Sequence, residues 1–136
     1  MSEQRAPRGV LDTSVFVAVE RGRPIREEAL PEAGVASIVT IAELRAGVLA
    51  APDVESRNRR ITTLEGVMGA GILPITEHVA RAWAGMRTYL VASERKVTVN
   101  DLWIAATAAA YEIPVVTQDR DYHALSGVNG LTVVEV

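Results

Sequence analysis

Short runs of small and β-branched residues alternate along this chain with longer stretches of helical period, and that alternation limits the fold more than any other feature. "RGVLD" at 8–12, "AGVAS" at 33–37, "GILPI" at 71–75, "IPVVT" at 113–117 and "GLTVVEV" at 130–136 read as strands. Between them, "TSVFVAVE", "VTIAELRAGVLAA", the segment from Asp53 to about Ala70, "TEHVARAWAGMRTYLVASE" and "DLWIAATAAA" read as helices, with a helical turn around "DYHALS". Strands separated by helices pair in parallel and need covering on both faces. The expected fold class is therefore α/β, a three-layer sandwich around a mostly parallel sheet of about five strands. The 136 residues suit one domain spanning 1–136, with no linker, repeat or low-complexity tract. Aromatic residues are only 4% of a chain that is 49% hydrophobic, so the core must be built from Ala, Val, Leu and Ile, as a buried parallel sheet prefers.

Several classes are excluded or disfavoured. The chain has no cysteine, which removes disulfides and thiolate metal sites. The N-terminal "MSEQRAPRGVLD" has no apolar run of leader length, and no stretch approaches 18 apolar residues, so a soluble cytoplasmic protein without membrane association is expected. A net charge of −3, from 14 basic and 17 acidic side chains, argues against general affinity for nucleic acid. Committing four of the acids to cations would turn that balance slightly positive. All but one of the 14 basic side chains are arginine, whose planar fork matches phosphate, although genomic base composition produces the same skew.

The acids themselves are placed informatively. Asp12 ends the first strand, Glu43 falls in the first turn after the second, Asp101 opens the helix before the fourth, and Asp119 follows that strand in "VVTQDRDY". Parallel sheets gather ligands outside the carboxyl ends of their strands. Two carboxylates about 4 Å apart repel by roughly 4 kcal/mol at an effective dielectric of about 20, a large fraction of the roughly 5–15 kcal/mol that holds a domain folded. A hard divalent cation removes that repulsion. Oxygen ligands without cysteine or paired histidine favour Mg2+ or Mn2+ over zinc. Two such ions about 4 Å apart suit in-line attack of water on a phosphodiester. Each acid also has a local reading. Thr40 with Glu43 and Thr98 with Asp101 match the capping box, Asp12 suits the cap of the helix at Thr13, and Asp119 or Asp121 suits the cap of the last short helix. Cap and ligand are compatible roles, and four unrelated caps need not fall on one edge of a sheet. For Asp101, Thr98 and the positive end of the helix dipole are expected to favour the ionised form.

"VLDTSVFVAV" at 10–19, "SIVTIAELRAGVL" at 37–49, "VTVNDLWIAATAAAYEIPVVTQDRDY" at 97–122 and the terminal "GLTVVEV" together resemble the PIN-domain ribonucleases, specifically the VapC-like toxins of bacterial toxin–antitoxin pairs. The resemblance spans essentially the whole chain. It implies that Asp12, Glu43, Asp101 and Asp119 are the catalytic acids and hold Mg2+ or Mn2+, Asp119 acting through water. Asp121 competes for the fourth place, and Ser14 and Thr117 support the acids by hydrogen bonds. Tyr122 stands where the family commonly has Phe and is expected to leave the chemistry unaffected. The implied function is a metal-dependent endoribonuclease toxin that cuts structured RNA such as tRNA or rRNA, forms a homodimer through helical faces and is blocked by a cognate antitoxin. The alternative is a PIN-like binding module without catalysis.

The remaining polar and aromatic groups are secondary. His78 reads as a surface residue, and His123, beside the acidic turn, as a candidate RNA contact. Arg57, Arg59 and Arg60 read as a solvated helix face that is also a candidate guide for phosphates or the antitoxin. Trp83, Met86 and Leu90 form a helical stripe suited to the core or a dimer interface, and Trp103 and Tyr111 read as packing. A phosphoryl-accepting receiver domain is disfavoured, because the one lysine, Lys96, is far from any proline.

Overall fold

The computed structural model describes residues 5–136, so the first four residues of the N-terminal stretch lie outside the described residues. Five strands form one sheet in the order β3-β2-β1-β4-β5, and every neighbouring pair is parallel. They are β1 (Arg8–Leu11), β2 (Ala33–Ser37), β3 (Ile72–Leu73), β4 (Val115–Thr117) and β5 (Val133–Glu135). The helices are α1 (Thr13–Glu20), α2 (Ile38–Leu49), α3 (Val54–Ala70), α4 (Glu77–Ser93) and α5 (Val99–Ala110), with 3-10 turns at Glu27–Ala29, Arg120–Leu125 and Val128–Gly130. This is the expected α/β sandwich, with a sheet that is wholly rather than mostly parallel.

Alternation along the strands divides the interior. Val10, Val35 and Val115 join the main core with α4 and α5, while their neighbours Ala36 and Val116 belong to smaller clusters under α1, α2 and α3. Register keeps these layers flat, since Val10 lies opposite both Val35 and Val115. Helix α5 is the most deeply set element: Leu102 and Ile104 through Ala108 are all buried. Trp103 stacks on Trp83 of α4, with ring centroids 5.0 Å apart and planes inclined by 19°. Met86 is fully buried and Leu90 nearly so, which assigns the stripe on α4 to the core.

Two boundaries differ from the sequence reading. Strand β3 keeps only two of the five residues expected, because Pro74 has no N–H to give to a ladder. Helix α2 starts at Ile38 with Ser37 as its cap, the Ser37 hydroxyl accepting from Val39 N–H at 3.0 Å. Thr40 is thus inside the helix and caps nothing, and Glu43 belongs to the second turn rather than the first. The capping-box reading of Thr40 and Glu43 is therefore corrected.

Candidate functional site

Strand order reverses at β1, whose chain continues to β2 on one side while β4 lies on the other. The carboxyl ends of β1 and β4 meet there, tied by the Asp12 N–H donating to Val116 carbonyl oxygen at 2.8 Å. Such a switch point opens a crevice at a sheet edge.

Asp12 stands at that edge and is only 3% exposed. It caps α1, but the backbone bond to Ser14 N–H is long, at 3.4 Å. Side chains do most of the holding. Oδ2 accepts from the Ser14 hydroxyl at 2.6 Å and the Thr117 hydroxyl at 3.0 Å, and Oδ1 accepts from the Tyr122 hydroxyl at 2.8 Å. Ser14 and Thr117 both hydrogen-bond to the same oxygen of Asp12. Three hydroxyl donors thus satisfy this buried carboxyl without a salt bridge.

Asp101 approaches from the other side, in the first turn of α5. Its backbone N–H donates to the Thr98 cap at 3.3 Å, and its Oδ1 lies 3.2 Å from the Tyr122 hydroxyl. Its carboxyl is pushed up to about 6, by burial first and then by the negative charge of Asp12, with a smaller contribution from Asp119. Hydrogen bonds from Thr98 and Tyr122 act in the opposite direction and lose. The Thr98 cap favours the ionised form, as expected, but burial and repulsion among the acids outweigh it.

Asp119 is half-buried and caps the following 3-10 turn, its Oδ1 accepting from Asp121 N–H at 2.9 Å. Thr117 orients it through the Asp119 N–H at 2.9 Å. Asp121 is exposed and touches none of these acids through its side chain. Glu43 is held differently, by the Thr13 hydroxyl donating to Oε1 at 2.7 Å, next in sequence to Asp12.

These acids are therefore linked but do not close into a cage. Among the described residues, no group of three or more His, Cys, Asp or Glu is gathered closely enough to hold a metal ion. Asp12 and Asp101 form a pair bridged by one hydroxyl, Asp119 is near enough for its charge to act on Asp101, and Glu43 leans to Thr13. The donor set is all hard oxygen and carries uncompensated negative charge. Such a set fits Mg2+, which is held by one or two carboxylates and keeps several waters.

Tyr122 is the member that sequence reasoning missed. Its side chain is fully buried, and burial together with the charges of Asp12 and Asp101 keeps its phenol protonated far above the ordinary range. Its hydroxyl contacts both Asp12 and Asp101, contacts that the Phe common at this position in the family could not make. A buried tyrosine needs a partner for its hydroxyl, and that was the available signal.

Arg57 and Arg59 lie on an exposed face of α3, as expected of a solvated helix face, and Arg60 is half-buried. Arg59 pairs with Glu55 at 3.3 Å and Arg60 donates to the Gly47 carbonyl oxygen, so both serve the fold of α2 and α3. Arg87, Arg95 and Lys96 instead line a depression of about 310 Å3 with Trp83, Val97 and Leu102, where α4 turns into α5. None of the three forms an ion pair with a described residue. His123 lies 3.2 Å from Glu135 and His78 is exposed on α4.

Residues 9–128 match the family described as PIN domain. Over 128 residues the chain is 48% identical to Ribonuclease VapC5 of Mycobacterium tuberculosis, covering 94% of this chain and 95% of that protein. It is 43% identical to Ribonuclease VapC4 of the same organism, covering 93% of this chain and 97% of that protein. Among solved structures, VapBC-5 from Mycobacterium tuberculosis, a member of the VapBC family of toxin–antitoxin systems, is similar with a TM-score of 0.89 at 45% identity, covering 96% of this chain and 99% of that one. FitAcB from Neisseria gonorrhoeae is similar with a TM-score of 0.69 at 29% identity, over 92% and 95%.

Proposed function

The chain belongs to the PIN-domain family, with VapC ribonucleases as close relatives, and from that premise we propose that it is a cytoplasmic, Mg2+- or Mn2+-dependent endoribonuclease toxin restrained by a cognate antitoxin. We read residues 1–136 as one PIN domain. The observation that carries the proposal is the meeting of Asp12, from the end of β1, and Asp101, from the start of α5, on one hydroxyl at the carboxyl edge of the sheet. Two elements 89 residues apart in sequence would not deliver carboxylates to one atom, against their repulsion, for packing alone.

Asp12 and Asp101 would hold the metal, with Glu43 and Asp119 reaching it through water. The exposed position of Asp121 favours Asp119 as the fourth acid. Bound there, the ion supplies Lewis-acid stabilisation of the phosphate and lowers the pKa of a water molecule. The chain's own residues do the rest. Ser14 and Thr117 hold Asp12 fixed in rotation, Thr13 keeps Glu43 aimed at the β1 end, and Asp119 would orient water by hydrogen bonding. The expected products carry a 5′-phosphate and a 3′-hydroxyl.

Two surfaces support the partners. The unpaired Arg87, Arg95 and Lys96 lie at the same end of α5 as Asp101 and suit RNA phosphates, with structured RNA such as tRNA or rRNA as the substrate class. An apolar groove of about 470 Å3, lined by Val15, Phe16, Val19, Leu30, Val67 and Ala70, runs between α1 and α3 and suits an apolar face of the antitoxin. A homodimer is part of the proposal, with exposed Val91 and Val99 available to an interface. No helix of the described residues is long and apolar enough to cross a membrane.

Incubation of total RNA with the purified chain, with Mg2+ and with EDTA, tests the proposal. Wild type is expected to cleave only with Mg2+, and Asp12→Ala and Asp101→Ala are expected to be inert. Equal behaviour of wild type and variants would leave the binding-module alternative in its place.

A further inference from the structure

We propose that the Tyr122 hydroxyl is a positioning group of the acid site, holding Asp12 and Asp101 at one spacing so that the pair receives a divalent cation together. The inference rests on the reading of this edge as a metal-dependent nuclease site.

The geometry is specific. Tyr122 lies in the main core with no exposed surface, so its ring has one orientation and its oxygen is a fixed point. From that point Asp12 Oδ1 is 2.8 Å away and Asp101 Oδ1 is 3.2 Å away. A phenol has one proton to donate, and the shorter contact gives it chiefly to Asp12. Both carboxylates are nevertheless referenced to the same atom, one through β1 and the other through α5. The second oxygen of Asp12 is already engaged by Ser14 and Thr117. The open lone pair of Asp12 is therefore on the Oδ1 side, the side where Asp101 stands. Partners of this kind, which orient a ligand without touching the metal, change metal affinity about 10- to 100-fold when removed.

Mn2+ binding to Tyr122→Phe, followed through the electron paramagnetic resonance signal of the free ion, tests the assignment. Tyr89→Phe is the control, since Tyr89 lies on α4 at 40% exposure, outside the site. The dissociation constant for Mn2+ is expected to rise about tenfold or more in Tyr122→Phe and to stay unchanged in Tyr89→Phe. RNA cleavage by Tyr122→Phe is expected to lose kcat at limiting Mn2+, with KM for RNA unchanged, and to recover at excess Mn2+. A role confined to packing would move neither metal affinity nor that recovery, because the ring is kept. An affinity within twofold of wild type overturns the assignment while leaving the nuclease reading intact. Failure of wild type itself to take up Mn2+ overturns the metal reading of the whole edge, and this inference with it. A second readout needs no variant. Nuclear magnetic resonance of the wild type is expected to show a slowly exchanging Tyr122 hydroxyl proton that persists when Mg2+ is added, and its loss on adding Mg2+ overturns the assignment.

Discussion

Neutralising Asp101 should stabilise the metal-free protein at neutral pH, the reverse of what removal of a hydrogen-bonded residue usually does. The carboxyl of Asp101 is raised from an ordinary value of 3.8 to about 6 in the folded chain. Between those values the folded state binds a proton that the unfolded state has already released, so stability falls as pH rises through this window and levels off above it. At about 1.36 kcal/mol per unit the full shift corresponds to roughly 3 kcal/mol. Asp101 is only half-buried, and solvent screening reduces the expected effect to about 1–1.5 kcal/mol. Three acids near the surface, Glu28, Asp53 and the half-buried Glu135, are shifted downward and pull the pH profile the other way, so the informative quantity is the difference between wild type and Asp101→Asn. Urea unfolding in EDTA between pH 4 and pH 8 measures it. The two proteins are expected to be similar near pH 4, with the variant more stable by about 1–1.5 kcal/mol at pH 7, or roughly 3–5 °C in Tm. Adding Mg2+ at pH 7 should stabilise wild type and leave the variant unmoved. A variant less stable than wild type at pH 7 in EDTA would refute the claim that burial and repulsion among the acids outweigh the cap and the helix dipole.

Three further outcomes follow from the same geometry. Thr13→Val removes the hydroxyl that aims Glu43 and is expected to lower RNA cleavage about tenfold with little change in Tm, read by comparing initial rates and melting curves. Charge reversal of Arg87 and Arg95 is expected to weaken RNA binding and to reduce the salt dependence of the association constant by about two, one for each phosphate no longer neutralised, while the Mn2+ affinity stays as in wild type. Val19→Asp places a charge in the apolar groove at a residue already 59% exposed, so folding should tolerate it; binding of the cognate antitoxin is expected to weaken roughly 10- to 100-fold by calorimetry.

What could be read from the residues divides by whether the cause is local. Asp12 and Asp101 were legible because each marks an element boundary, and parallel topology brings such boundaries to one edge. The start of α2 was not, because "SIVTIAEL" offers Ser37 and Thr40 as alternative caps. Strand β2 runs to Ser37 itself, so the helix begins at once and Glu43 moves to the second turn. The ionisation of Asp101 depends on its burial and on Asp12 and Asp119, which approach it only in the folded chain, so the local cap contributes in the expected direction but does not decide the net shift. Arg57, Arg59 and Arg60 drew attention as a run, yet two of them are engaged by α2 and α3. Arg87 and Lys96, nine residues apart, meet only where α4 turns into α5. Tyr122 reads as a core aromatic from sequence, and its hydroxyl gains meaning only from residues 21 and 110 positions away.

The central claim is that acids from separate elements form a cation site at the carboxyl edge of the sheet. Anomalous diffraction from crystals soaked in Mn2+ tests it without reference to any substrate. The account predicts a peak between the carboxylates of Asp12 and Asp101, lost in Asp101→Asn. A peak elsewhere, or none at saturating Mn2+, would contradict it.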